Sequence, residues 1–377
     1  MTGRHARRPP LPFALLVALL IVGVVAAVAL AGTRGREREA TAQAGATGAI
    51  AGDPATPKTP PSTDASVADP PGGVAGVTPT AEATSTPSPS PEEPKQAIVI
   101  HGTGDVSLDP SYIPAFRSNG YGWAWSGLDG LFQHDDLTVV NHECPSTNRV
   151  APIPKEFSFR CDPAALPVAR RYGVDVANLA NNHGYDQGPE GILDSLRNVD
   201  RAGLVSIGAG ADAAEADAPR YVDVKGWRIG LVGVDEVLDP LDEVATANKP
   251  GTAVGHDFPR ALRAIREAEA NADLVVVMIH WGVELDTQPR EYQVQEAHQM
   301  IDAGADVIFG GHSHRLQPMD TYEGKPIFYS LGNFVWPHFS AEGSTTAVAE
   351  VLVRPDGTIK GKLLPAYIVS DGHPVLR

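Results

Sequence analysis

Cysteine is almost absent from these 377 residues: there are two, Cys144 and Cys161. Their spacing is wrong for a zinc ribbon. Two readings remain, one disulfide in an oxidising compartment or a pair of buried thiols. The two flank a proline-containing loop, Cys144-Pro145 to Arg160-Cys161, where a bridge would hold Glu143 in place. Basic residues are also short, 30 Lys and Arg against 46 Asp and Glu, for a formal net charge of −16. Nucleic acid is bound through stripes of Lys and Arg, and the chain has none, so nucleic-acid partners are excluded. An anionic substrate would have to be admitted by metal charge or by a local basic patch. No internal repeat is evident.

Large apolar residues are scarce from Thr33 to about Glu93, where Ala, Thr, Pro, Ser and Gly dominate. Such a stretch cannot bury enough surface to offset its ordering entropy, which predicts a disordered linker over residues 33–95. Its Ser-Pro run, Thr84 to Pro91, is stiffened toward polyproline geometry and suits a spacer. Ahead of it, residues 1–10 carry Arg4, Arg7 and Arg8. An uncharged apolar run follows over residues 11–32, long enough to cross a bilayer as a signal-anchor helix. Ala29-Leu30-Ala31 is a cleavage pattern, so a signal peptide with secretion of the rest is the competing reading. Either way residues 96–377, the expected globular domain, lie outside the cytoplasm, in the first case tethered to the cell membrane.

Within that domain short apolar runs read as buried strands: Ala97–Ile100, Leu137–Val140, Val174–Leu179, Leu274–Ile279 and Val307–Phe309. Helical periods lie between them. Ile192, Leu193, Leu196 and Val199 follow Gly188-Pro189 and stop at Gly203; Phe258–Ala270 and Glu291–Ala303 read as two more helices. Alternating strands and helices predict an α/β fold. Ala347–Val353 and Lys360–Leu364, around Pro355-Asp356-Gly357, add a β-hairpin and therefore mixed sheets.

Each strand-like run ends at a polar motif: Gly104-Asp105, Asn141-His142-Glu143, Asn181-Asn182-His183, His280-Trp281-Gly282, and Gly311-His312-Ser313-His314. Ligands gather beyond the carboxyl ends of strands in open α/β sheets. Oxygen and imidazole donors on one rim can converge on metal ions. Asp105, read as following a glycine-punctuated turn, suits a metal carboxylate or an ordinary turn. Glu143 suits a bridge between two cations, or a plain salt bridge. Asn182 can offer its amide oxygen to a metal, and His183 beside it can act as general acid, unless the block is only an Asn-rich turn. His280 is a ligand or a satisfied core histidine. His312 and His314 would share one face of an extended segment and serve two neighbouring metals.

Taken with "GDVSL", "NHECP", "DVANLANNHGYDQGPEGILDSL", "IHWGVE", "DAGADVIFGGHSHRLQP" and "KPIFYSLGNFVW", these motifs make Ile98–Phe334 resemble the CapA family. Those are poly-gamma-glutamate capsule biosynthesis proteins related to calcineurin-like metallophosphoesterases. The resemblance implies a metallophosphoesterase-like sandwich of two mixed β-sheets flanked by helices. It implies that Asp105, Glu143 and His314 hold one divalent cation and that Glu143, Asn182, His280 and His312 hold a second. His183 would be the proton donor. The superfamily's first motif is Asp-x-His, and Ser107 stands here at the histidine position, which removes one imidazole from the first cation. The donor set suits Mn, Fe or Zn. The implied function is a metal-dependent phosphoesterase-like hydrolase of capsule biosynthesis. The alternatives are a non-catalytic component that binds, exports or anchors an anionic envelope polymer, and a structural ectodomain with a degenerate site.

Overall fold

A computed structural model of the protein describes residues 93–237, 243–253 and 255–377. The expected cytoplasmic N-terminus and membrane segment, 1–10 and 11–32, lie outside the described residues. Of the expected linker 33–95, only residues 93–95 are described, and they are exposed. Among the described residues no helix is long and apolar enough to cross a membrane.

The first strands are β1 (Ile98–Val106), β2 (Leu137–His142), β3 (Val176–Asn178), β4 (Val205–Ile207), β5 (Ala209–Gly210), β6 (Arg220–Val224), β7 (Trp227–Asp235) and β8 (Gly251–Thr252). The rest are β9 (Leu274–His280), β10 (Val307–Gly311), β11 (Met319–Tyr322), β12 (Lys325–Phe328), β13 (Asn333–Val335), β14 (Thr345–Val353), β15 (Ile359–Ser370) and β16 (His373–Leu376). One sheet has the order β16-β15-β14-β1-β2-β3-β4, with β13 also paired to β1; the other runs β11-β12-β10-β9-β7-β6. Both are mixed: β1 is parallel to β2 and antiparallel to β14, while β9 is parallel to β7 and β10 and β6 is antiparallel to β7. The fold is therefore α/β with two mixed sheets, and β14–β15 form the hairpin that the tail predicts.

Side-chain alternation stacks the layers. In β9, Leu274, Val276 and Met278 enter the core shared by the two sheets, with Ile98, Ile100, Val139, Ile229 and Phe309. Val275, Val277 and Ile279 face the other way, against Ala261, Ile265, Ala297 and Met300. Those four lie on α2 (Phe258–Glu269) and α3 (Glu291–Asp302); the first long helix, α1 (Gly188–Arg201), packs Ile192 and Val199 over the far face of the first sheet with Val140 and Ala177. Each fully buried Val, Ile or Met contributes about 1.5–3 kcal/mol, so this interior dominates stability.

The same parity aims the polar strand ends. His280 continues the 274, 276, 278 series, Asn141 continues 137 and 139, and Gly311 continues 307 and 309; all three series face between the sheets. In β1 the pairing with β2 slips between Thr103 and Asp105, and Val106 then belongs to the opposite core. That bulge turns Asp105 inward. Asp105 thus lies within β1 rather than after a turn, which corrects the reading of Gly104-Asp105 as a turn. The close approach of Gly332 explains the glycine: a Cβ on Gly104 would stand 1.8 Å from the Gly332 carbonyl oxygen. Gly104→Ala must push β1 from its neighbour and is expected to cost about 1–3 kcal/mol, read as a lower urea midpoint. An unchanged midpoint would show the contact to be slack.

Candidate metal centre

Five strand ends, those of β1, β2, β3, β9 and β10, deliver polar groups into the gap between the sheets. Asp105, Glu143 and His280 are fully buried, and each offers a ligand atom within 4.8 Å of the other two. His280 Nε2 lies 3.0 Å from Asn182 Oδ1, 3.2 Å from His312 Nδ1 and 3.6 Å from Glu143 Oε1. His314 Nδ1 lies 3.1 Å from Asp105 Oδ2, and its Nε2 is 4.0 Å from Glu143 Oε1. All six candidate ligands, Asp105, Glu143, Asn182, His280, His312 and His314, therefore meet in one hollow, with Glu143 between the two groups that the motifs suggest.

The two histidines after β10 arrive by another route than strand alternation. His312 and His314 have φ of 89° and 52°, so the segment is not extended, and their rings stand 6.1 Å apart. Positive φ at two non-glycine residues is strain of the kind held at functional sites, about 1–3 kcal/mol each. Gly311 makes room for the turn: a Cβ there would lie 2.5 Å from Asp105 Oδ1. The His312 amide points at both Asp105 oxygens, 3.3 Å from each.

The residues fit a divalent cation on two grounds. Both Glu143 oxygens are buried without a hydrogen-bond partner, which is costly for a carboxylate unless a cation meets it. Burial, then the Asp105 charge, pushes the Glu143 pKa well above the usual carboxylate range. His280 is driven the opposite way, well below its ordinary value, by burial and by His312 and His314. Burial opposes charge on His314 too, but its hydrogen bond to Asp105 and that carboxylate's charge prevail and raise its pKa. A donor set of carboxylates, an amide oxygen and imidazoles is what Mn, Fe or Zn takes. A cation would also relieve the repulsion between Asp105 and Glu143.

His183 sits on the rim. Asp186 Oδ2 lies 2.7 Å from His183 Nδ1 and accepts from the Phe159 amide at 2.7 Å. Burial lowers the His183 pKa despite Asp186, which favours the neutral ring. Lys155 Nζ pairs with Asp186 Oδ1 at 3.0 Å and with Glu243 at 3.3 Å, and also donates to the Asn182 carbonyl. Cys144 and Cys161 are joined as a disulfide, which closes the loop carrying Lys155 and fixes the residue next to Glu143. A second cluster, His142 with the two cysteines, is no metal site, because the sulfurs are bonded to each other. Burial takes the His142 pKa down to about 4, and its Nε2 lies 2.8 Å from Ser146 Oγ.

Several supporting residues escape sequence reasoning. Asn141 Nδ2 donates to Asp105 at 2.8 Å and lies 3.0 Å from His280 Nδ1, while its Oδ1 accepts from Asn178 and Asn181 at 3.0 and 3.2 Å. Asn333 Oδ1, 2.8 Å from His314 Nδ1, orients that ring. Both residues lie inside quoted motifs, so the signal was present but had no assigned task. Ser107, where the superfamily has histidine, is buried, and its hydroxyl lies 3.4 Å from the Asp109 amide. Replacing Lys155 by Met takes the shared cation from two buried carboxylates. The expected loss is about 3–5 kcal/mol, measured as a lower denaturation midpoint. A midpoint equal to wild type would remove Lys155 from the network.

Two mixed sheets with a carboxylate–imidazole cluster between their strand ends agree with the arrangement that the sequence resemblance implies. Residues 99–338 match the family described as bacterial capsule synthesis protein PGA_cap. The chain belongs to this family. It is similar to the "PGA biosynthesis protein CapA" of Bacillus subtilis strain 168, 31% identical over 268 residues that cover 70% of each chain. The "Capsule biosynthesis protein CapA" of Bacillus anthracis is 32% identical over 264 residues, 66% of this chain and 63% of that one. A solved structure described as a novel phosphatase from Mycoplasma pneumoniae superposes with a TM-score of 0.49 at 14% identity, covering 74% of this chain and 95% of that one.

Proposed function

We propose that this protein is a CapA-like component of capsule or poly-gamma-glutamate biosynthesis, tethered by residues 11–32 with its domain outside the cytoplasm. In this reading the domain carries a metal-dependent phosphoesterase-like hydrolase site. The observation that carries it is the buried Glu143, with no hydrogen bond to either oxygen, among five further donors from four other strand ends. Asp105, Glu143 and His314 would hold one cation, and Glu143, Asn182, His280 and His312 the other. A bound divalent ion supplies Lewis-acid polarisation of a phosphoryl or related oxygen. The chain supplies the rest. Asp186 fixes His183 through Nδ1, so Nε2 is the ring atom left to carry a proton to a leaving group. The approach of an anionic substrate favours protonation of that otherwise neutral ring. The Cys144–Cys161 bridge supports the placement in an oxidising compartment.

Ser107 favours a second reading, in which the first cation position is weak and the protein binds, exports or anchors an anionic polymer without turnover.

Full-length protein stripped of metal and titrated with Mn²⁺ or Zn²⁺ separates the two. Binding at a hundredfold excess over Kd adds about 2.7 kcal/mol, seen as a rise in melting temperature. Glu143→Ala should abolish that rise. Under the hydrolase reading it should also lower turnover of phosphomonoester or phosphodiester substrates at least about a hundredfold. A metal-dependent rise without turnover leaves the binding role, and no rise with any divalent ion sinks both metal-based readings.

A further inference from the structure

Large apolar side chains are exposed at few places on the described surface, and three of them share one cleft. Phe157, Leu285 and Phe339 are 56%, 60% and 70% exposed. They come from the disulfide loop, the segment after β9 and the segment after β13, yet all line a cavity of about 200 Å³ that also contains His183 and His314. Single exposed hydrophobics are ordinary, but three converging from separate segments on a titratable cleft mark a binding surface.

Aromatic rings continue inward from that rim. Tyr112 stands 6.2 Å from Phe339, 4.6 Å from Phe159 and 5.4 Å from Trp336, centroid to centroid. Phe159 is 4.3 Å from the His183 ring, and Trp336 is 4.9 Å from the His314 ring. One aromatic wall therefore joins both imidazoles to the solvent edge.

Arg315 completes the cleft. Its Nη1 donates to the His314 carbonyl at 2.7 Å, and it has no ion pair among the described residues. A guanidinium anchored by one arm keeps its remaining N–H groups for an oxyanion, which it binds in a planar fork. Glu284 lies on the same lining and is exposed. Its charge disfavours a ligand of dense negative charge and favours one with a single oxyanion near Arg315.

We propose that Arg315 and the Phe157–Phe339 rim form an oxyanion subsite for the non-reacting flank of the substrate, recognising one carboxylate or phosphate borne on a flat or apolar stem. Arg315 grips the oxyanion, and the stem lies against the aromatic wall. The subsite deepens the proposed function and rests on that reading for its link to turnover, but its binding chemistry needs no metal.

The test is calorimetric titration of the full-length protein in chelator, so that metal contributes nothing, with Trp fluorescence as a second readout. The probes are phenyl phosphate and N-benzoylglutamate, which carry a flat stem, and inorganic phosphate and glutamate, which do not. Stemmed anions should bind at least about tenfold tighter than bare ones. Arg315→Ala should weaken them about 10- to 100-fold, Arg315→Lys should restore part of that loss, and Phe339→Ala should erase the preference for a stem. Whichever stemmed probe binds tighter identifies carboxylate or phosphate as the native anion. Equal affinity for stemmed and bare anions, no binding of any probe, or wild-type affinity in both Arg315→Ala and Phe339→Ala overturns the subsite. Turnover of wild type with metal is measured separately, so a failed hydrolase reading does not decide this result.

Discussion

Glu143 is fully buried, neither of its carboxylate oxygens accepts a hydrogen bond, and Asp105 adds a second negative charge in the same hollow. Two carboxylates in a dry interior cannot both stay ionised without positive charge between them. The surrounding architecture answers this constraint. Five strands of two sheets end here, and three imidazoles and an amide oxygen complete the ring. No ordinary core needs such an arrangement, because replacing these groups by apolar residues would remove the penalty altogether. The arrangement fits a divalent cation entering the hollow.

Holding those charges in register takes both backbone strain and a polar lattice. His312 and His314 are kept at positive φ, and the Asp105 side chain fills the space that a side chain on Gly311 would occupy. Asn141 links Asp105, His280, Asn178 and Asn181, so a donor from one sheet and a donor from the other share one amide. Supporting groups of this kind fix ligand orientation as firmly as the ligands fix a metal. The disulfide loop does the same on the other side. It carries Lys155 to Asp186, and Asp186 holds His183.

The fold class and the order of the donors were legible because both follow from strand period. Buried runs such as Leu274–Ile279 announce themselves, and a polar residue at the end of each has nowhere to point but the sheet ends. Three things were hidden. The bulge in β1 gives no composition signal, so Asp105 looked like a turn residue. The convergence of His312 and His314 depends on positive φ, which a Gly-His-x-His string does not encode. Lys155 and Phe157 meet the site through a loop whose path is set by a disulfide and by contacts to distant carboxylates, and no local pattern reports that. The N-terminal readings concern residues that the structure does not describe.

Charge finally links the centre to its cleft. The chain carries a formal −16, and Asp105, Glu143 and Asp186 lie close to the hollow, so these carboxyl groups on their own disfavour an approaching anion. Lys155 does not change that for a ligand, because it is committed to Asp186 and Glu243. Among the described residues of the cleft wall Arg315 is the one Lys or Arg, and in the proposed subsite a single guanidinium on an aromatic wall would bind an oxyanion weakly at the surface of an acidic protein. A divalent ion in the hollow would reverse the local sign only a short distance from that wall. Anion capture at the rim and cation capture at the centre are then coupled by Coulomb attraction, each strengthening the other, and linkage makes that coupling reciprocal. Under the proposed function, an acidic domain would thus hold an anionic ligand without a basic surface, provided the metal arrives and the guanidinium stays free.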